Sequence, residues 1–358
     1  MAGALRAEPH AVGRGSGPDG GCLGATVKDY LRTAAAQLRA AGCATPELDA
    51  EILLGHVLGW SRARLYAEPA ARVDPATETR LATSLARRAK REPVAYIVGE
   101  KEFWSLPLAV DEHVLIPRPE TERVVEVALE LVGELLGAAS GPPAERPLRV
   151  VDAGTGSGAI AVALAHELCG DAGRAGSARS DRGQAGLASS RRRVMLIAVD
   201  HSAGALRVAG ANVRRRFPTP AAPIELLRAD WTSGLGAQTV DVVVTNPPYL
   251  SDAELAAAPP ELSYEPAGAL LGGGVDGLGA LRRLAADARR VLCDGGWLVS
   301  EIGAGQGAGA SALLAAMGFA EARVVPDLAG CDRVVAGRWR REPFSCEGDA
   351  AGDIAPSS

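Results

Sequence analysis

Leu148-Arg149-Val150-Val151-Asp152-Ala153-Gly154-Thr155-Gly156-Ser157-Gly158, followed by the small-residue stretch Ala159 to Leu168, sets strand, glycine-rich turn and helix in direct succession. That succession lets backbone N–H groups and a helix N-terminus approach a ligand. The same glycines also serve close strand–helix packing, and both uses stay open for the turn alone. Val194-Met195-Leu196-Ile197-Ala198-Val199-Asp200 reads as a second buried strand ending in a carboxylate. At that place in a doubly wound sheet an acid binds ribose hydroxyls, usually about 20 residues beyond the turn. Residues 170–192, rich in Gly, Ser and Arg with almost no large apolar residue, lengthen the interval and are expected to be a disordered insertion. Taken alone, Asp200 could equally cap a helix beginning at Ser202. The turn upstream favours the ribose role.

Ile224-Glu225-Leu226-Leu227 gives a third strand, ending at Ala229-Asp230-Trp231. An acid and an indole there suit an adenine, accepting from its amine and packing on its face. Val240 to Thr245 is a fourth strand and Trp297 to Ile302 a fifth. Ala322–Val325 and Arg333–Gly337 read as a terminal antiparallel pair. Helical stretches over 278–292 and 306–317 alternate with these strands, which predicts an open, mostly parallel α/β sheet.

The fourth strand ends abruptly in Asn246-Pro247-Pro248-Tyr249. Two prolines cannot donate to a ladder, so the strand stops there. The rigid turn offers the Asn246 carboxamide oxygen, the Pro247 carbonyl and the Tyr249 ring. Two oxygens accept the two hydrogens of a planar NH2 group while a ring covers its face. The plainer reading, a strand-terminating turn with a packing Tyr, is open for the tetrapeptide alone.

Upstream of 148, residues 1–23 are expected to be a disordered leader. Thr26 with Asp29 makes a capping-box pattern for a first helix, Thr45-Pro46 opens a second to Leu58, and Asp74-Pro75 opens a third. These form a helical domain over 24–91. Its closing cluster, Arg87, Arg88, Lys90 and Arg91, is expected to be a solvated helix end. Residues 92–118 read as a β-hairpin linker starting at Val94-Ala95-Tyr96-Ile97-Val98, and an amphipathic helix starts near Thr121. The remaining domain runs over 119–341, and 342–358 is expected to be a disordered tail.

The 358 residues carry 38 Lys and Arg against 43 Asp and Glu, a formal net charge of -5, so no basic field points to nucleic acid. The six cysteines form no C-x-x-C pair, which argues against zinc and against a disulfide framework. No apolar stretch reads as a signal peptide or a membrane span. A cytoplasmic protein without metal or membrane is expected.

The motifs together resemble a class I S-adenosylmethionine-dependent methyltransferase, in which strand one carries the glycine turn and strand four an (N/D)-P-P-(Y/F) motif. The run from Thr26 to Trp339 is similar to one branch, the release factor glutamine methyltransferases (HemK/PrmC type). Arg91 to Gly99 with Phe103-Trp104, Leu115 to Glu122, Asp152 to Ile160, Asp230-Trp231, Asn246 to Tyr249, Tyr264-Glu265-Pro266 and Glu301-Ile302-Gly303 carry the likeness. Ala153 stands where a bulkier residue is more usual. The resemblance implies a Rossmann-like, seven-stranded domain joined by the hairpin to a helical substrate-recognition domain. It implies S-adenosyl-L-methionine contacts at Gly154, Thr155, Gly156, Ser157, Gly158, Asp200, Asp230, Trp231 and Asn246. Catalysis would fall to Asn246, Pro247 and Tyr249, with Pro248, Arg118 and Glu120 also on the substrate side. The implied acceptor is the N5 amide nitrogen of the glutamine in the Gly-Gly-Gln loop of peptide chain release factors, with the enzyme a monomer. Two alternatives use the same chemistry: glutamine methylation of a ribosomal protein, and adenine-N6 methylation of nucleic acid, which the acidic balance disfavours.

Overall fold

The computed structural model describes residues 25–137, 146–169, 194–218 and 222–341. The three segments expected to be disordered, 1–23, 170–192 and 342–358, lie outside the described residues. The chain divides between Ile97 and Val98 into two compact units.

The first unit is helical: α1 (Val27–Ala40), α2 (Pro46–Leu58), α3 (Arg62–Ala67), α4 (Pro75–Ala89) and the short α5 (Val94–Val98). The Thr26 side chain accepts from Asp29 N while Asp29 accepts from Thr26 N, closing the capping box on α1. Pro46 starts α2, Gly59 ends it at a left-handed φ of 67°, and Asp74 caps α4. Leu38, Leu53, Leu54, Leu65 and Leu81 fill the core.

Two expectations are corrected here. Arg88 is not part of a solvated helix end: it is buried and its Nε donates to buried Asp49 at 2.8 Å. The cause is helical period, because Leu81, Leu85 and Arg88 share the inward face of α4. A charge carried inside on that face requires a partner, and Asp49 is there to meet it. The second correction is Val94–Val98, which forms α5 rather than the first strand of the hairpin. Pro93 sits just ahead of that turn, and its carbonyl accepts from Tyr96 N and Ile97 N. The hairpin itself is shorter, β1 (Glu100–Phe103) against β2 (Leu106–Ala109). Trp104 and Ser105 both take positive φ, 55° and 56°, giving the mirror-image two-residue turn that matches strand twist.

After the hairpin, the second unit contains α6 (Glu122–Gly137), β3 (Leu148–Ala153), α7 (Ala159–Cys169), β4 (Val194–Asp200), α8 (Ala203–Arg216), β5 (Ile224–Arg228) and β6 (Val240–Thr245). It continues with α9 (Asp252–Ala256), α10 (Gly279–Val291), β7 (Leu292–Glu301), α11 (Gly307–Ala316), β8 (Phe319–Pro326) and β9 (Asp332–Trp339). Seven strands form one sheet in the order β5-β4-β3-β6-β7-β9-β8. The first five are parallel, and β9 runs antiparallel to both β7 and β8. Every residue of β6 is buried because both faces are covered. Val242 and Val244 enter one core with α6 and α7, while Val240 and Val243 enter the other with Leu281 and Leu284 of α10.

From β3 the chain winds outward one way through β4 and β5, and from β6 it winds outward the other way. The neighbours β3 and β6 therefore mark the switch point, where open α/β sheets hold their ligands beyond the carboxyl ends of the strands. At the opposite edge, Arg146 grips Asp241 with two hydrogen bonds of 2.7 and 2.9 Å. Asp241 also accepts from Arg149 N at 2.8 Å.

Candidate active site

A cleft of about 970 Å³ opens at the carboxyl edge of the sheet, above the switch point. The register Asp152↔Val244 puts the turn after β3 beside the turn after β6. Thr245 Oγ1 fastens the two by donating to the Ala153 carbonyl at 2.7 Å.

On one side, Gly154, Thr155, Gly156 and Ser157 line the cleft, while Gly158 heads α7 outside the lining. Gly154 and Gly158 have φ of 74° and 81°. A Cβ on Gly154 would lie 3.4 Å from the Trp231 ring, and one on Gly158 would lie 3.2 Å from Ala209 Cβ. Both positions thus require glycine for backbone conformation, and Gly158 for space as well. Asp152 holds the turn from beneath, its Oδ2 accepting from Thr155 Oγ1 at 2.6 Å and from Ala161 N at 3.1 Å. Complete burial, helped by the nearby charge of Asp200, pushes the Asp152 carboxyl up to about 7. Its Oδ1 has no hydrogen-bond partner among the described residues.

Asp200 lines the cleft at the end of β4, and it does not cap the helix that follows. Its Oδ2 accepts from Gly156 N at 3.0 Å and its Oδ1 from Ser202 N at 2.9 Å, so it braces the glycine turn and the approach to α8. Ser202 itself caps α8. Trp231 lines the same side, and Asp230 at the mouth is exposed and paired with Arg283 at 3.3 Å.

On the other side stand Asn246 and Pro248. Asn246 Nδ2 donates to Thr121 Oγ1 at 3.1 Å, which leaves its carboxamide oxygen without a donor among the described residues. Pro247 is buried and Tyr249 half-buried, and neither lines the cleft. The Tyr249 hydroxyl donates to Glu301 Oε1 at 3.2 Å. Burial, with the Glu301 charge next, raises the phenol pKa. Arg118 and Glu120 are also outside the lining. The Arg118 guanidinium is engaged with buried Glu265, whose Oε2 accepts from Ile116 N at 3.0 Å. That carboxylate pins the segment from which Val114, Leu115 and Pro117 face the cleft.

Asn212 was not legible as a site residue. It is almost wholly buried on α8 and makes three bonds. Its Oδ1 accepts from Ala109 N at 2.7 Å, and its Nδ2 donates to the carbonyls of Ala109 and Ser157 at 3.0 and 2.8 Å. It clamps the hairpin to the glycine turn. Its signal is an Asn on the inward face of a helix, which shows a buried amide but not its partner.

The glycine cradle, the carboxylate at the end of β4, the indole beside the turn and the size of the cleft fit S-adenosylmethionine. The seven-stranded sheet with that turn after β3 and Asn-Pro-Pro-Tyr after β6 defines a class I S-adenosylmethionine-dependent methyltransferase. Residues 29–99 match the PrmC N-terminal domain family. The release factor glutamine methyltransferase of Vibrio cholerae is 34% identical over 89% of this chain and 99% of its own length. That of Burkholderia pseudomallei is 38% identical over 87% and 98%. A solved protein-(glutamine-N5) methyltransferase (release factor-specific) from Alicyclobacillus acidocaldarius aligns at 26% identity and a TM-score of 0.32, covering 63% of this chain and 95% of that one. The chain belongs to the release factor glutamine methyltransferase family.

Proposed function

We propose that this protein methylates the N5 side-chain amide nitrogen of the glutamine in the Gly-Gly-Gln motif of peptide chain release factors, with Asn246 and Pro247 holding the acceptor. S-adenosylmethionine, when bound, supplies an electrophilic methyl group on a sulfonium. Gly154 to Gly158, Asp200 and Trp231 would hold it, with Asp230 at the mouth.

An amide nitrogen is a poor nucleophile because its lone pair is delocalised into the carbonyl. The residues must therefore fix and polarise the NH2 group rather than deprotonate it. Asn246 Oδ1 and the Pro247 carbonyl accept its two hydrogens, drawing electron density onto nitrogen and aiming the lone pair across the cleft. Tyr249, tethered through its hydroxyl, packs its ring on the amide plane as the glutamine enters. Catalysis by placement and fixed dipoles follows. The observation that carries this reading is the Asn246 carboxamide: its nitrogen is engaged by Thr121, and its oxygen is left as an acceptor in the wall of the cleft.

Mass spectrometry of a purified release factor incubated with the protein and S-adenosylmethionine tests it. A gain of one CH2 on the Gly-Gly-Gln glutamine, lost in Asn246→Ala, is expected. Labelling of a ribosomal protein or nucleic acid instead would overturn the acceptor assignment.

A further inference from the structure

Behind Asn246 lies a buried cluster that the motif does not contain. Glu301 is the last residue of β7 and is 1% exposed. The register Thr245↔Ser300 sets it beside Asn246. Thr121 ends the 3-10 turn Pro119–Thr121 at the head of α6 and is also buried. Its hydroxyl oxygen accepts from Asn246 Nδ2. The Tyr249 hydroxyl donates to Glu301 Oε1 at 3.2 Å, and the Thr121 side chain acts on the same carboxyl in the direction that lowers its pKa. Glu301 Oε2 has no hydrogen-bond partner among the described residues.

We propose that Glu301 is a positioning residue for methyl transfer, setting the orientation of the Asn246 carboxamide through the Thr121 hydroxyl. The inference rests on the acceptor role proposed for Asn246. A hydroxyl has one hydrogen to give. An ionised Glu301 can only accept, so it draws that hydrogen towards itself. Thr121 Oγ1 then presents lone pairs to Asn246 and takes an N–H. The carboxamide is held with nitrogen inward and oxygen toward the cleft. With a neutral Glu301, the acid proton can go to Thr121, whose own hydrogen becomes free to meet the Asn246 oxygen. The flipped carboxamide would present an NH2 to an NH2, and the acceptor site would be lost. Polarity in this chain of bonds, rather than shape, makes the site an acceptor.

Other charged groups act on the same carboxyl. Burial raises its pKa to about 7, Thr121, Arg333 on β9 and Tyr249 oppose the rise, and Glu120 adds to it. Arg333 and Arg118 both act on Tyr249 in the direction that lowers the phenol pKa. The switch between the two polarities therefore falls near neutral pH.

The test compares Glu301→Gln, Thr121→Val, Thr121→Ser and Asn246→Ala with the parent protein, after thermal melts confirm that each is folded. Glu301→Gln and Thr121→Val should lower kcat on the order of 10- to 100-fold. Calorimetric affinity for S-adenosylmethionine should be unchanged, and Thr121→Ser, which keeps the hydroxyl, should stay close to the parent. The parent should lose kcat as pH falls through about 7, and Glu301→Gln should show no such limb. In the protein alone, the Asn246 side-chain amide resonance should shift across neutral pH in the parent and not in Glu301→Gln. Parental kcat and pH profile in Glu301→Gln and Thr121→Val, with Asn246→Ala inactive, would overturn this inference and leave the acceptor reading intact. Normal turnover by Asn246→Ala as well would overturn the acceptor reading itself. Should Thr121→Val fail to fold, the pH profile of Glu301→Gln decides.

Discussion

The two edges of the sheet treat buried carboxylates in opposite ways. At the amino edge, Asp241 takes both guanidinium nitrogens of Arg146 and the amide of Arg149. At the carboxyl edge, Asp152 and Glu301 each keep one oxygen without a partner among the described residues, and burial raises both carboxyls to about 7. The first arrangement is what a fold needs from a charge inside it: full hydrogen bonding and an opposite charge. The second costs stability and is kept where the glycine turn and the acceptor turn must be held. The two carboxyls with an open oxygen thus both lie at the end of the sheet that bears the cleft.

Substitutions on either edge can break this contrast. The largest expected effect is at Asn246: replacement by Ala should lower kcat about 100- to 1000-fold, as loss of a preorganised polar group does elsewhere. Affinity for S-adenosylmethionine, read by calorimetry, should change little. Next is Asp241→Asn, which leaves Arg146 without its counter-charge and should cost about 1–3 kcal/mol in denaturant unfolding. Its kcat should equal the parent's, and a lowered kcat would show that the edges are not independent.

Glu301→Gln should do the reverse, lowering kcat while raising stability. Its carboxyl titrates near 7 when folded and near 4.5 when not, so the folded state holds the extra proton between those values. Stability from that proton is complete at pH 4 and is lost as pH rises through 7. The amide cannot ionise, so Glu301→Gln should be more stable than the parent by about 3 kcal/mol at pH 8 and no more stable at pH 4. Equal melting temperatures at pH 8 would show that burial of this charge costs nothing. The smallest effect is expected for Gly158→Ala. A non-glycine residue at its φ of 81° costs about 1–2 kcal/mol, which should appear as weaker S-adenosylmethionine binding and a slightly lower melting temperature.

Much of this was legible in the sequence because it is written locally. The apolar runs gave β3, β4 and β6, the Thr26–Asp29 box gave the start of α1, and the glycine turn and Asn-Pro-Pro-Tyr gave both walls of the cleft. What escaped depends on residues brought together from afar. Thr121 meets Asn246 across 125 positions, and Asn212 meets Ala109 across 103. No pattern within a strand or helix encodes such pairs. Arg88 is an intermediate case: its place on the Leu81–Leu85 face of α4 was readable, but the charge cluster around it pointed outward. Val94–Val98 misled for another reason. Its β-branched residues favour a strand, and one proline ahead of it overrode that preference.

The helices α6, α7 and α8 all run back from the carboxyl edge, so the connections that follow them re-enter the sheet at its amino edge. Residues 138–145, 170–193 and 219–221 all fall in these return connections, between Gly137 and β3, between Cys169 and Val194, and between α8 and β5. For protein engineering this separates two kinds of loop. The forward turns after β3, β4 and β6 line the cleft, so a change in their length moves its walls. The interval between Cys169 and Val194 is anchored at the edge away from the cleft, which makes it the place to splice in a reporter domain or an affinity handle.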